Sequence, residues 1–229
     1  MALISSENSN QGLSYTAFFD LDQTLINANS GKILIQLAYK KNMMKWPDIV
    51  RVLWFSFLYK SNLRQAENIV YDMVSLVAGV PVKTLKDLSY EMVKNRFINV
   101  IPIDARMELS FHREQSAKTV ILSSSLSPIC KAVAEHLQMD DIICTDPEVK
   151  NGFLTGHTNN PVCYGKEKLL RLKKYCEINN TTPEASWYYG DSVSDFPVLE
   201  KVGHPVCINP DKKLKQIAVT NGWPVKYWY

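Results

Sequence analysis

"TAFFDLDQTL", residues 16–25, ends an apolar run in two carboxylates two positions apart, with a threonine two further on. Ala17, Phe18 and Phe19 show no polar alternation, the pattern of a strand buried on both faces of a parallel sheet. Asp20 therefore stands where a charge is costly unless something compensates it. In an extended chain residues i and i+2 share a side about 6.5–7 Å apart, so Asp20 and Asp22 point together off the strand's carboxyl end while Leu21 turns inward. That end of a parallel sheet is where open α/β folds bind ligands. Two carboxylates at this spacing can divide labour. A cation holds one ionised as a nucleophile, while desolvation and like-charge repulsion keep the other protonated as an acid. The plainer reading is an Asp-capped turn with Thr24 as a helix cap, and D-x-D-x-T alone does not choose between them.

Composition narrows the chemistry. The 229 residues are 46% hydrophobic, enough for a real core, and the formal net charge of +3 gives no ground for a nucleic-acid partner. Five cysteines, Cys130, Cys144, Cys163, Cys176 and Cys207, are widely spaced without a C-x-x-C. They read as reduced core thiols of a cytoplasmic protein rather than a disulfide frame or zinc site. His112, His136, His157 and His204 share no metal-ligand spacing, so a surface place or core packing is the reading for each. The amino-terminal "MALISSENSNQG" lacks a basic start and apolar stretch, and no apolar run approaches the ~18 residues of a membrane span.

Residues 1–13 read as a polar tail, and order begins with "LSYTAFF". From Asn29 to about residue 100 the chain shows helix-length segments, with Pro47 and Pro81 at first-turn positions. Beyond "VIPID" it alternates: "KTVILSSS" as strand, "SPICKAVAEHLQ" as helix, "DIICT" as strand, "NGFLTG" as a hairpin-like turn, "GKEKLLRLKKYCEI" as helix. "SWYYGD" and "HPVCI" follow as strands around the short helix "SDFPVLEKV". Such alternation predicts an α/β fold, a doubly wound, Rossmann-like parallel sheet with helices on both faces. Its parts are expected at 14–28 and 101–229, with residues 29–100 as an all-helical insert.

Three later strand or helix ends supply what a phosphoryl-transfer site needs. Ser123 ends "VILSSS" and can donate its hydroxyl, while the backbone N–H groups after it, from Ser124 on, can face an anion. Lys166 falls in the first turn of its helix, where the positive helix end disfavours a cation unless an anion is near. Lys168, Lys173 and Lys174, better placed for the dipole, read as solvated surface charges. "WYYGDSVSDFPVL" leaves a strand in Gly190-Asp191, with Asp195 four residues on. A carboxylate there suits Mg²⁺, which is commonly held by one or two carboxylates plus phosphate and water. Asp195 is read either as an N-cap or as part of the site.

In this order, D-x-D-x-T, Ser, Lys and G-D-x-x-x-D, the chain resembles the haloacid dehalogenase superfamily of phosphotransferases from about residue 14 to its end. The helical insert, "LSSSLSPICKAVAEHL" and "NGFLTG" are similar to its phosphoserine-phosphatase-like branch, subfamily IB, as is "GWPV" near the end. The resemblance implies a core with an inserted helical cap and an aspartyl-phosphate mechanism: Asp20 attacks phosphorus, and Asp22 protonates the leaving oxygen and then activates water. It implies Mg²⁺ held by Asp20, the Asp22 backbone carbonyl and Asp191, with Asp195 orienting Lys166 and metal-bound water. Lys166 offsets charge, and Thr24, Asn29, Ser123 and Ser124 line the phosphate and substrate side.

Departures from that branch bear on substrate. Its members carry Glu nine residues after the nucleophile, where this chain has Asn29, and an Arg before "VSL", where it has Met73. Neither charge of a phosphoserine zwitterion would be paired, and leaving both buried would cost several kcal/mol. Ser194 replaces a usual Asn. The leading expectation is a Mg²⁺-dependent phosphatase of a small or amphiphilic phosphomonoester that does not select phosphoserine. Alternatives are a lipid phosphate such as phosphatidylglycerophosphate at a membrane surface, or a non-hydrolytic phosphoryl-accepting signalling module. Residues 29–64 are basic, with Lys32, Lys40, Lys41, Lys45, Arg51, Lys60 and Arg64 against Asp48. In "WPDIVRVLWFSFLYK", residues 46–60, Val52 and Phe55 interrupt the polar half. The plainer reading is a helix buried on several sides; the sharper one is peripheral contact with an anionic membrane.

Overall fold

The computed structural model describes residues 15–44, 46–60 and 66–229. The tail expected over residues 1–13, Lys45, Arg64 and the Lys60 side chain fall outside that description. The first strand, β1 (Thr16–Phe19), is followed by four helices: α1 (Ser30–Lys40), α2 (Trp46–Lys60), α3 (Ala66–Ser75) and α4 (Val82–Asn95). Pro47 lies in the first turn of α2 and Pro81 is the N-cap of α4. Then come α5 (Ile103–Glu114), β2 (Lys118–Leu126), α6 (Ser127–Leu137), β3 (Asp141–Thr145) and the antiparallel pair β4 (Pro147–Lys150) and β5 (Phe153–Thr158). The chain closes with α7 (Lys166–Ile178), β6 (Trp187–Gly190), α8 (Phe196–Leu199), β7 (His204–Ile208), α9 (Lys212–Asn221) and β8 (Val225–Lys226).

Six strands form one parallel sheet in the order β3-β2-β1-β6-β7-β8. β1 is central, with Phe19 opposite Ile121 of β2 and Tyr189 of β6. The period-two pleat sorts its side chains between two cores. Ala17, Phe19, Ile121 and Tyr189 face the cluster shared with α4, α5 and α6, whereas Phe18, Val120, Leu122 and Tyr188 face the one shared with α7, α8 and α9. Both faces of β1 are thus covered, which is why its sequence is unbroken in apolarity. The chain leaves β1 towards β2 on one side and later returns to β6 on the other, so the carboxyl end of β1 opens at a topological switch point.

Periodicity does not flag α5 or α9, although α9 carries ordinary end signals: Asp211 accepts from the Lys213 and Leu214 amides, and Gly222 closes the helix at φ +66°. "KYWY" docks as expected through Trp228, which is buried, while Tyr227 and Tyr229 stay exposed. In α4, Leu85, Leu88, Met92 and Val93 join the same core as β1 and α6. α2 differs from the several-sided burial expected of it. Trp46, Leu53 and Trp54 are 73%, 63% and 56% exposed, Val50 and Phe57 are exposed too, and only part of the helix faces inward. Among the described residues no helix is long and apolar enough to cross a membrane. All five cysteines are buried and free.

Candidate active site

Asp20 leaves β1 with its amide held by the Tyr189 carbonyl at 2.9 Å and its carboxylate buried. Against it lies Lys168. Its Nζ is 2.8 Å from Asp20 Oδ1, 2.7 Å from Asp195 Oδ1 and 3.1 Å from the Tyr188 hydroxyl, which itself donates to Asp195 Oδ1 at 2.7 Å. Three ammonium protons meet three acceptors, so this buried cation is satisfied. Burial opposes its charge, but the Asp195 and Asp20 carboxylates outweigh it and hold the Lys168 pKa well above the ordinary value.

The lysine at the site is therefore Lys168, and the expectation for Lys166 is corrected. Lys166 is the first residue of α7 and exposed, whereas Lys168 shares the buried stripe of Leu172 and Cys176. The unfavourable helix-end position of Lys166 is relieved by solvent rather than by an anion. The signal that finds Lys168 is the 3.6-residue period: Cys176, Leu172 and Lys168 recur every four residues along the face packed on the sheet. Lys173 and Lys174 are exposed, as expected.

The Asp22 carboxylate reaches the start of α1. Its Oδ1 accepts from the Ser30 amide at 2.9 Å and its Oδ2 from the Ser30 hydroxyl at 3.1 Å, and the Ser30 and Ser125 hydroxyls are 2.8 Å apart. Burial, then the Asp20 charge, push its pKa up to about 7 against these bonds. A carboxyl balanced there can give a proton and take one back at neutral pH. Ser30 is a positioning residue that the sequence did not flag. Asn29 does not point a charge at the site: its side chain accepts from the Lys32 amide and caps α1. Ser123 is buried and bonds Asp20. Ser124 lines the same cavity as Asp22, and its carbonyl accepts from the Thr145 hydroxyl at 2.8 Å. Thr24 is buried with its hydroxyl lacking a partner among the described residues.

Gly190 lets the last loop close on this group. A Cβ there would stand 2.7 Å from Asp195 Oδ2 and 2.8 Å from the Tyr188 ring. Asp195 does not cap α8 with its side chain. It turns back, accepting from the amides of Asp191 and Ser192 at 3.2 and 3.3 Å. Ser194 bonds the Ser192 hydroxyl at 2.6 Å.

Carboxylate oxygens of Asp20, Asp191 and Asp195 lie within 4.8 Å of one another. Three buried or half-buried acids thus face the single ammonium of Lys168. Burial, then Asp20 and Asp195, raise the Asp191 pKa to about 9, and burial raises Asp20 too, with Lys168 opposing. The donor set is hard oxygen and its charge is under-compensated, which fits a small divalent cation. Asp22, turned to Ser30, is not among these three carboxylates.

Mg²⁺ is accordingly expected to raise the melting temperature. At a hundredfold excess over Kd the gain is about 2.7 kcal/mol, or roughly 5–10 °C for a chain of this size. Without metal, Asp22 and Asp191 keep protons in the folded state that the unfolded chain loses above about 4, so their contribution to stability falls as pH rises from there through about 7 and 9. Binding must also displace the Asp191 proton, so the Mg²⁺ increment should be larger at pH 8 than at pH 5.5. Thermal melts with and without Mg²⁺ that superimpose at both pH values would remove the metal from this site.

The histidines fall on the surface or in packing as expected: His157 and His204 are exposed, and the clearest packed one is His112. It is buried and lies 3.0 Å from the Tyr15 hydroxyl and 2.7 Å from that of Tyr189, and burial lowers its pKa to about 4. Tyr189 donates to Glu108, so its oxygen accepts from His112 Nε2–H and the ring is neutral.

The model of the haloacid dehalogenase-like hydrolases matches residues 17–200. A histidinol-phosphatase of Neisseria meningitidis is 27% identical over 91% of this chain and 96% of its own. Among solved structures, a protein of unknown function from Bordetella pertussis superimposes with TM-score 0.85 at 23% identity, covering 93% of this chain and 98% of that one. A phosphoserine phosphatase carrying a phospho-aspartyl intermediate analogue does so with TM-score 0.67 at 19% identity, over 89% and 90%. At these identities the structures share the fold.

Proposed function

This chain belongs to the haloacid dehalogenase-like hydrolases and is a phosphatase of that family, and from that premise we propose that it hydrolyses a phosphomonoester with Mg²⁺ through an aspartyl-phosphate on Asp20. The observation that carries the reading is the buried Lys168, clamped between Asp20 and Asp195 beside an Asp22 whose pKa is about 7. Asp20 attacks phosphorus, the bond from phosphorus to the ester oxygen breaks, and Asp22 gives its proton to the leaving alkoxide. Asp22 then takes a proton from water, whose oxygen attacks phosphorus. Inorganic phosphate leaves and the Asp20 carboxylate is restored. Ser123 binds phosphoryl oxygens, Lys168 offsets their charge from its place between Asp20 and Asp195, and Thr24 fixes the turn after the nucleophile. Asp195 fixes Lys168. Asp20, Asp191 and the Asp22 carbonyl would hold Mg²⁺, which supplies charge neutralisation for the phosphoryl group.

We read residues 14–28 and 101–229 as the catalytic core and 29–100 as its cap. An acid near neutrality beside the nucleophile favours turnover over a phosphoryl-accepting module, which has no use for a leaving-group proton. Phosphate release from an aryl phosphate and a metabolite panel, with Mg²⁺ or EDTA, tests the reading. Activity is expected with Mg²⁺, and phosphoserine is expected to rank below uncharged alcohol phosphates by at least tenfold in kcat/KM, because Asn29 is committed to capping α1 and Met73 is a thioether. No release from any ester would overturn the function. Phosphoserine as the best substrate would overturn the specificity.

A further inference from the structure

The cavity that opens beside Asp22 is lopsided in its chemistry. It holds about 430 Å³, within the range of sites that engulf a small organic molecule. Its polar atoms gather at one end, where Asp22, Ser30 and Ser125 are already bonded to one another and Asn29 and Ser124 complete the rim. Away from that end the walls are hydrocarbon and thioether: Leu34 and Ile35 from α1, Phe55 from α2, Val70 and Met73 from α3, Leu88 from α4. Asp22 is the only charged residue on the described lining. A site for a polar alcohol would need donors or acceptors along this wall, since each buried polar group left unpaired costs about 1–3 kcal/mol.

Resting on the phosphatase reading, we propose that this cavity binds the alcohol half of the substrate as a hydrocarbon chain, so that the substrate is an amphiphilic alkyl or acyl-bearing phosphomonoester. The phosphate lies at Asp20 and the ester oxygen near Asp22, as the proton transfer requires. The first carbon then passes the Ser30–Ser125 pair, and the chain continues between α1, α3 and α4. At about one water's share of liquid volume, ~30 Å³, per methylene, the space takes on the order of ten carbons. The same wall explains why α3 carries Met73: a charge there would face only apolar neighbours.

The test is a chain-length series. Straight-chain alkyl phosphates from ethyl to octyl, kept below their aggregation threshold, are assayed for kcat/KM. Non-hydrolysable alkylphosphonates of the same lengths are titrated by calorimetry in Mg²⁺. Each methylene should strengthen both by roughly threefold to fourfold, at least a hundredfold across the series. Met73→Arg and Val70→Trp should reduce the octyl-to-ethyl ratio by tenfold or more. Because the ratio is internal to each variant, a general loss of folded protein does not imitate that result. A chain could come from solution or from a bilayer, where the exposed Trp46, Leu53 and Trp54 face of α2 would meet lipid. A long-chain phosphate in anionic vesicles, assayed with the parent and with Trp54→Glu, separates the two. Loss of vesicle turnover but not of octyl phosphate turnover on Trp54→Glu assigns the bilayer, equal retention assigns solution, and both keep the chain in the cavity. If binding and turnover are flat within threefold from ethyl to octyl, the inference is wrong. If the phosphonate series rises but no ester is cleaved, the cavity assignment stands and the phosphatase reading fails.

Discussion

Replacing Lys168 with methionine is expected to lower kcat about a thousandfold, while Lys166→Ala stays within threefold of the parent. The ammonium bridges Asp20 and Asp195 at 2.8 and 2.7 Å inside the fold. Removing a preorganised donor from such a site typically costs 10²–10³ in rate, about 2.7–4 kcal/mol, and here the lost group also holds the nucleophile in place. Stability should fall as well, because truncating one partner of a buried ion pair leaves an unpaired charge, typically at about 3–5 kcal/mol. Protonation of the orphaned carboxylates relieves that penalty, so the fall in melting temperature should be smaller at pH 5 than at pH 8, and Mg²⁺ should recover part of it. Steady-state rates with an aryl phosphate and thermal melts of both variants check this. A larger rate loss in Lys166→Ala than in Lys168→Met would return the catalytic lysine to the helix end.

That contrast also marks how far the sequence could be read. Strands were legible where burial on two faces leaves an unbroken apolar run, as in β1 and β6, because no other element so short has that composition. Asp20 and Asp191 were legible because each breaks such a run at its carboxyl end, and Asp22 and Asp195 by their spacing of two and four residues from them. The lysine was harder. A helix-end argument weighs only local electrostatics, and Lys166 satisfies that by facing water. The tertiary fact that α7 presents Cys176, Leu172 and Lys168 to the sheet decides the matter, and the hydrophobic period stops one turn short of naming a cation as part of a buried stripe. Ser30 escaped for a related reason. Its bond to Asp22 joins residues eight apart across a turn, and a serine in a helix's first turn is ordinary in any sequence. The α2 face shows the opposite failure. Its aromatic residues look like core by composition, and only the path of the chain reveals that Trp46, Leu53 and Trp54 meet solvent while Phe55 lines the cavity.

Asp20→Asn is expected to abolish turnover, by on the order of 10⁴–10⁶. The amide keeps the shape and can still accept from Lys168, but it is no nucleophile towards phosphorus. It also removes one of three crowded acids. The metal-free variant should therefore melt at or above the parent's temperature, since burial still raises the Asp22 and Asp191 pKa values but the Asp20 repulsion that adds to it is gone, while its Mg²⁺ increment should shrink. A dead enzyme with an intact or raised melting temperature separates lost chemistry from lost folding. Asp22→Asn should behave differently. An aryl leaving group needs little protonation, so Asp20 can still be phosphorylated, whereas the second step lacks the base that deprotonates water. Rapid mixing should then show a burst approaching one equivalent of aryl alcohol per protein, followed by slow turnover, and the trapped phosphate should map to Asp20. A burst or parent-like steady-state rates in Asp20→Asn would place the nucleophile elsewhere, and parent-like rates in Asp22→Asn would move the acid and base from Asp22.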